Sequence, residues 1–127
     1  MPNYCDLFDY LELKISVKKE IYINNFYHTE KFCKDHKLDS ERIVLTLYDF
    51  GGHNDVQILY SVIGKIPRMT DLNEEVETPV EYAIRNHLYC RYHEGMWVRC
   101  KKGAKDAKVD LNLANTMMFG KKHEKND

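Results

Sequence analysis

The 127-residue chain lacks the features that mark several large classes of protein. No apolar run approaches the roughly 20 residues that a membrane-spanning helix requires. The first residues, Met1 to Asp9, carry acids where a signal peptide has a basic stretch and an apolar core. Neither sign of charge dominates, because 19 Lys and Arg face 20 Asp and Glu, which leaves a net charge of −1. We therefore expect a cytoplasmic protein with no membrane segment, for which a nucleic-acid partner is not indicated.

Motifs for metal and nucleotide chemistry are also missing. There is no CxxC pair, no GxGxxG and no GxxxxGK[ST] loop. His and Cys do cluster within residues 28–36 and within residues 87–93, and both clusters contain residue types that bind zinc. In a strand, however, Cys90 would point away from His87 and His93, so we expect exposed histidines and a buried thiol, with no metal and no cofactor.

The four cysteines do not indicate disulfides or a catalytic thiol. Nothing marks the chain as secreted, so Cys5, Cys33, Cys90 and Cys100 are expected to be free thiols. A nucleophilic cysteine requires a nearby base and a lowered pKa, and no such arrangement is indicated. The acidic residues between 71 and 81 are expected in a solvated loop, because no apolar pocket surrounds them. We therefore predict no catalytic residues and no enzymatic activity.

Apolar and aromatic side chains are plentiful. Hydrophobic residues make up 43% of the chain and aromatic residues 12%, including 9 Tyr. This composition and length are typical of a folded globular domain.

Apolar periodicity predicts secondary structure along the first two thirds of the chain. Alternation of apolar and polar residues predicts a strand from Leu11 to Val17. A helix is predicted from Ile21 to Lys37. Two apolar runs, Ile43 to Phe50 and Val56 to Ile66, flank a Gly-rich segment and predict a β-hairpin.

The remainder of the chain is predicted to contain one long strand and a basic end. Thr70 to Thr78 is interpreted as a polar connector, with a short helical turn before Pro79 as the alternative. Val80 to Tyr92 alternates as an amphipathic strand does. Ala107 to Met118 could form a short helix or a strand, and Gly120 to Asp127 is expected to be a frayed tail. We predict an α+β domain at residues 1–98, followed by a basic C-terminal segment at residues 99–127. In this α+β fold an antiparallel sheet packs one main helix on one face, as a βαββ unit plus a further strand.

Aromatic side chains on the predicted strands give the strongest indication of a binding surface. A tyrosine combines an apolar ring with a polar tip, so several on one face can line a pocket or bind a protein. The predicted ligand-binding or partner-binding residues are Tyr48, Tyr60, Tyr82, Tyr89, Arg91 and Trp97. Such rings also suit small cationic or aromatic ligands.

The predicted order of elements, together with several short motifs, resembles one βαββ half of the GyrI-like domain, the effector-binding fold of some bacterial transcription regulators. The motifs are Val17-Lys18-Lys19, Lys37-Leu38, Leu47-Tyr48-Asp49, Ile66-Pro67 and Asn86 to Tyr92. They are most similar to a GyrI-like branch of unknown function encoded beside type VII secretion genes in Gram-positive bacteria. The second half would be truncated after Gly95, and a second copy could complete the sheet by dimerisation.

The resemblance implies an accessory or adaptor protein that binds another protein, such as a secretion substrate or a toxin. The alternative is a small-molecule binding module of the GyrI type, with the ligand between the sheet and the helix. A third interpretation, a nucleic-acid binder that uses the basic tail, is the least favoured. The first two place the binding surface on the tyrosine-rich strands.

Overall fold

The computed structural model describes residues 1–18 and 25–120 of the chain. The chain divides into two compact units, Met1–Val76 and Glu77–Asp127. Each is described separately below.

The first unit is helical. Its elements are α1 (Tyr4–Lys18), α2 (Tyr27–Asp35), α3 (Ser40–Asp49) and α4 (Asp55–Gln57), which continues as a π-helical turn (Ile58–Val62). The predicted helix at residues 21–37 is confirmed over α2, while residues 19–24 lie outside the described residues.

Helix α1 replaces the strand predicted at residues 11–17, and that prediction is wrong. Asn3 and Asp6 exchange side-chain and backbone hydrogen bonds of 2.9 and 3.0 Å, which begins the helix. The buried side chains follow the helical spacing i, i+3, i+4, i+7. They are Tyr4, Leu7, Phe8 and Leu11. The segment between Leu11 and Val17 is too short to reveal this helical period. Leu13, which the strand prediction grouped with Leu11, is exposed.

The hairpin predicted at residues 43–66 is also wrong, because both of its arms are helical. In α3 the buried residues are Ile43 and Leu47, four positions apart. In the π-helical turn Ile58 and Val62 are buried, whereas Tyr60 between them is 83% exposed. The spacing of buried residues is therefore four, and the apparent alternation was incidental.

The Gly-rich segment does reverse the chain, but as the end of a helix. Gly51 has a φ of 103°, and the Gly52 N–H donates to the Leu47 carbonyl at 2.9 Å. This is the Schellman geometry that ends α helices, and it needs the same positive φ as a hairpin turn. Asn54 then caps α4 by accepting from the Gln57 N–H at 2.8 Å.

A buried aspartate joins α2 to α4. Asp55 is 1% exposed, and its carboxylate accepts from the backbone N–H of His28 and of Thr29, at 2.7 and 3.1 Å. It also accepts from the Thr29 hydroxyl at 2.6 Å. Phe26, at the N-cap position of α2, makes no side-chain cap, so Asp55 satisfies the first turn of that helix instead.

The connector at residues 70–78 contains no helix or strand, as predicted, but it is anchored. Leu72 is fully buried, and its backbone N–H donates to the Pro2 carbonyl. Its own carbonyl accepts from the Arg42 guanidinium at 2.7 Å. Leu72 therefore anchors the acidic segment to the first unit, so the segment is not wholly solvated.

The second unit begins with helix α5 (Pro79–Arg85), which shows that the predicted strand from Val80 to Tyr92 is wrong in its first half. Thr78 and Glu81 form a capping box, and Pro79 occupies the first helical turn. His87, with a φ of 55°, ends the helix, and the Leu88 N–H donates to the Ala83 carbonyl at 2.8 Å. These signals for the start and the end of a helix outweigh the alternation of apolar and polar residues within α5, on which the strand prediction rested.

A three-stranded antiparallel sheet follows. It contains β1 (Tyr89–His93), β2 (Met96–Cys100) and β3 (Lys108–Val109) in the order β2-β1-β3. Glu94 and Gly95 have φ values of 49° and 81° and join His93 to Met96 in a two-residue hairpin turn of type I′. Helix α6 (Leu111–Phe119) completes the unit, which resolves the open alternatives for that segment as a helix.

The molecule is therefore an α+β protein with an antiparallel sheet, and the predicted fold class is confirmed. The sheet lies in the C-terminal part of the described chain and not in the predicted βαββ unit. The boundary predicted after residue 98 falls within β2, whereas the compact units meet after Val76.

Candidate functional site

The strand register brings five side chains together on one face of the sheet, which we call the aromatic face. In an antiparallel pair, residues directly opposite each other point to the same side. Tyr92 lies opposite Trp97, and Cys90 lies opposite both Arg99 and Lys108. The aromatic face is therefore formed by Cys90, Tyr92, Trp97, Arg99 and Lys108.

Two large aromatic rings are exposed on this face. Trp97 is 57% exposed and Tyr92 is 60% exposed. Their ring centroids lie 5.4 Å apart at an interplanar angle of 70°, an edge-to-face pair. The Lys108 Nζ lies over the Trp97 ring, 5.7 Å from its centroid. Contact between the rings and this cation holds them in a defined arrangement without burying them.

The surroundings of the aromatic face are basic. Residues 91–108 contain 6 Lys and Arg and 2 Asp and Glu. Lys101, Lys102 and Lys105 are exposed in the loop that follows β2. Beside them, Trp97, Arg99 and Lys108 line a groove of about 320 Å³ that runs to the start of α6.

One acid moderates the positive charge of this groove. Asp110 lines it and caps α6 by accepting from the Leu113 N–H at 3.0 Å. The groove therefore combines an aromatic wall, two cations and one carboxylate. Such a mixture is typical of surfaces that recognise other proteins.

Of the predicted site residues in this unit, only Trp97 lies on the aromatic face. Tyr89 and Arg91 point to the opposite side of β1, where Tyr89 is buried opposite Val109. Tyr82 lies on α5 and packs against the small core formed by Ala83, Leu88 and Ala114.

Tyr82 also carries a cation over its ring. The Arg85 guanidinium lies 5.4 Å from the ring centroid and forms a bidentate pair with Glu77, with both distances 2.8 Å. Tyr82 and Tyr89 therefore contribute to packing in this unit.

Tyr48 and Tyr60 belong to the first unit and to different helical segments. Tyr48 stacks on His53, with centroids 4.1 Å apart and an interplanar angle of 29°. It also lines a groove of about 560 Å³ together with Glu30, Glu41 and Leu45. Tyr60 is exposed and is not among the residues that line either groove.

Two of the four cysteines, Cys33 and Cys90, have the properties of packing residues. Burial raises the pKa of the Cys33 thiol to about 11, and burial also raises that of Cys90. A thiol with a raised pKa carries little thiolate at neutral pH and is a poor nucleophile. Within residues 1–18 and 25–120, no group of three or more His, Cys, Asp and Glu could hold a metal ion.

The predicted list of site residues did not contain Tyr92, Arg99 or Lys108. The available signal was Glu94-Gly95, an acidic residue followed by glycine between two runs rich in aromatic and branched residues. That pattern favours a two-residue hairpin turn, and the turn fixes the register that pairs Tyr92 with Trp97. Lys108 could not have been placed, because β3 has only two residues.

No protein-family model matches this chain, and comparison with curated proteins and with solved structures finds no match. In the part of the chain that the structure describes, no helix is both long and apolar enough to cross a membrane.

Proposed function

We propose that the protein is a non-enzymatic adaptor that binds another protein through the aromatic face. The single observation that carries this proposal is the exposed, edge-to-face pair of Tyr92 and Trp97. Tryptophan, tyrosine and arginine are the residues that most often dominate binding energy at protein interfaces. Arg99, on the same face, adds the third of these types.

Energetic considerations favour a binding role for these rings. Leaving two large rings in water forgoes the hydrophobic stabilisation that burying them would give. A docked partner would remove that apolar surface from water, and the rim of lysines around it would fix the orientation. We therefore retain the sequence-based prediction of a protein partner and propose Trp97 and Tyr92 as the centre of the binding surface.

The family relationship remains a prediction. The GyrI-like resemblance relied on a hairpin at residues 43–66, and that segment is helical in the structure. The association with type VII secretion and the secretion substrate or toxin as partner therefore remain hypotheses that depend on sequence motifs alone. The cytoplasmic location remains a hypothesis that depends on sequence composition.

Selection from a random peptide library would test the protein-binding proposal. The full wild-type chain is immobilised, and the tightest-binding peptides are collected. We expect these peptides to lose about 30-fold in affinity for Trp97→Ala, because truncating a central aromatic contact typically costs about 2 kcal/mol. The matched control is Tyr60→Ala, which removes an exposed ring from the first unit and should change affinity less than about twofold.

A library that yields no peptide dependent on Trp97 would contradict the proposal. Equal losses for Trp97→Ala and Tyr60→Ala would contradict it as well, because the aromatic face would then have no special role.

A second candidate function is supported by the groove in the first unit. Tyr48 forms one wall, Val44 and Leu45 are apolar, and the carboxylates of Glu30 and Glu41 lie at the same groove. An aromatic ring with nearby carboxylates suits a small organic cation. We propose this groove as the site of the alternative function, the binding of a small cationic ligand.

Titration with a quaternary ammonium compound, followed by nuclear magnetic resonance, would test the second candidate. Shifts confined to Tyr48 and its neighbours, and lost in Tyr48→Ala, are expected. Uniform weak shifts, or shifts that persist in Tyr48→Ala, would reject the groove as a ligand site. Tyr60→Ala is again the control.

A further inference from the structure

We infer that the partner presents an extended acidic segment, which pairs as an additional strand with the free edge of β2. This inference rests on the proposed protein-binding function and specifies the chemistry of the partner. It combines two features of the second unit, an open strand edge and an excess of positive charge, with the aromatic face described above.

The first feature is the open edge. The strand order β2-β1-β3 leaves β2 with a strand neighbour on one side only, within the described residues. Alternate residues between Met96 and Cys100 therefore present backbone N–H and C=O groups on the other side. Added strands use such edges, with backbone hydrogen bonds giving affinity and side chains giving specificity.

The composition of β2 leaves this edge accessible. Natural edge strands are protected by proline, by charged side chains and lysine above all, by bulges or by a covering element. The sequence of β2, Met-Trp-Val-Arg-Cys, contains no proline or lysine and one charged residue, Arg99, and its pairing with β1 has an unbroken register from Tyr89 to His93. Most of the strand is exposed to solvent.

The second feature determines the charge of the partner. Arg99 and Lys108 lie on the aromatic face, and Lys101 and Lys102 continue directly from the end of β2. An added strand would run next to Arg99, Lys101 and Lys102, whereas Lys108 lies on β3 across the sheet. Carboxylates on alternate residues of that strand would face Arg99, while apolar residues between them would face Val98 and Met96 on the other side.

Other occupants fit these features less well. A single-stranded nucleic acid also uses aromatic rings and cations. It would leave the backbone groups of the edge unpaired, and Lys108 already lies over the Trp97 ring on which a base would stack. A second copy of the chain would bring an equally basic stretch to the edge, and like charges oppose that pairing.

The experiment uses fluorescence anisotropy with the full chain and four kinds of labelled probe. The first is a short peptide of alternating Glu and Val, and the second is the matching peptide of Lys and Val. The third is the Glu/Val peptide prepared in two versions, N-methylated either at every Glu or at every Val. The fourth is a short oligothymidylate.

We expect the Glu/Val peptide to bind at least about tenfold more tightly than the Lys/Val peptide at low salt, with the preference shrinking as salt is added. Only one of the two N-methylated versions should lose about tenfold, because alternate N–H groups of a strand point to opposite edges. Trp97→Ala should weaken binding of the Glu/Val peptide, and Tyr60→Ala should not.

Charge-reversed variants supply a matched comparison. Lys101→Glu combined with Lys102→Glu should weaken binding of the Glu/Val peptide about tenfold. Lys34→Glu combined with Lys37→Glu changes the net charge equally in the first unit, and should alter affinity less than about twofold. Equal effects of the two pairs would overturn the inference, because binding would then follow net charge alone.

Three other results would overturn the inference. They are preference for the Lys/Val peptide, tighter binding of the oligothymidylate, and equal tolerance of both N-methylated versions. Library-selected peptides that still depend on Trp97 would show that the protein-binding function stands while the acidic-strand inference fails. If no peptide of any kind depends on Trp97, the proposed function itself fails.

Discussion

The two units of this protein differ in how many aromatic rings they bury. In the first unit, Tyr4, Phe8, Phe32 and Phe50 are buried in a helical core, while Tyr60 is exposed. In the second unit the core cluster consists of Ala83, Leu88 and Ala114, Tyr89 is the one buried ring among the described residues, and Tyr92 and Trp97 are exposed. The core of the first unit is therefore rich in aromatic rings, whereas the second unit leaves the contacting pair of Tyr92 and Trp97 at its surface.

The two units also differ in net charge. Residues 1–76 contain 9 Lys and Arg and 13 Asp and Glu, whereas residues 77–127 contain 10 and 7. The near-zero net charge of the whole chain therefore conceals an acidic region and a basic region. Net charge alone is a poor guide to partners when the charges are separated along the chain.

The largest effect is expected at Asp55, whose buried carboxylate accepts three hydrogen bonds in the first unit. Asp55→Ala should lower the free energy of unfolding by about 3 kcal/mol, because two backbone N–H groups and one hydroxyl lose their partner in a buried place. Urea denaturation measures this value.

Asp9→Ala is the matched control for that experiment. Asp9 also has a partner, Arg68 at 3.2 Å, but the pair is largely exposed. The control should change the unfolding free energy by less than about 1 kcal/mol. If the two variants were equally stable, the assignment of Asp55 as the cap of α2 would be wrong.

The next largest effect is expected at Gly52. A Cβ there would lie 2.7 Å from Ile58 Cγ1 and 2.8 Å from Val62 Cγ2, closer than packed atoms tolerate. Gly52→Ala should therefore cost about 2 kcal/mol by overpacking the first unit.

Gly64→Ala separates steric contact from backbone strain. Gly64 has a φ of 95°, and a Cβ there would meet nothing within 4 Å. It should cost only about 1 kcal/mol, from backbone strain. A smaller loss for Gly52→Ala than for Gly64→Ala, measured by thermal and urea unfolding, would contradict the close packing around Gly52.

A smaller effect is expected at the capping box of the second unit. Thr78→Ala should cost about 1 kcal/mol, because the Glu81 N–H loses its side-chain acceptor at the start of α5. Thr78→Ser keeps a hydroxyl at the same place and should retain most of that stability. Equal unfolding midpoints in urea for the wild type and Thr78→Ala would show that the cap does not stabilise α5.

The smallest effect, and one that depends on pH, is expected at the exposed pair of Glu77 and Arg85. Hydrogen bonds from the Arg85 guanidinium hold the pKa of the Glu77 carboxyl below its ordinary value. A carboxyl whose pKa is lowered by folding stabilises the fold above its unfolded pKa, and this contribution is lost as pH falls through the folded pKa. Glu77→Gln should therefore be slightly less stable than the wild type at neutral pH.

The pH dependence of that difference is the check. Unfolding free energies of the wild type and Glu77→Gln should converge as the pH falls through the acidic range below the ordinary glutamate pKa. A difference that stays constant with pH would show that the ion pair is not its source.

The sequence allowed the fold class to be predicted, but not the positions of most strands. Residues 43–50 are rich in branched and aromatic side chains, which favour strands, yet they form α3 because Ile43 and Leu47 are buried in the core. Tertiary packing overrode local propensity there. Alternation between residues 56 and 62 was equally misleading, because Tyr60 is exposed.

Local turn chemistry was the more reliable guide. The Gly51-Gly52 pair correctly indicated a chain reversal, and Thr78 with Pro79 carried a helix-start signal that the alternation obscured. For the site, Trp97 is the one predicted residue that lies on the aromatic face. Its neighbours depend on the strand register across Glu94-Gly95, and no hairpin had been predicted there.

The most direct test of the binding role is the fluorescence of Trp97, the single tryptophan of the chain. Emission and acrylamide quenching would be measured before and after saturation with a peptide selected on the wild-type protein. A shift of the emission to shorter wavelength, together with protection from quenching, is predicted, because a docked partner removes the exposed ring from water. Unchanged emission and quenching at saturation would contradict the proposal that the aromatic face is the binding surface.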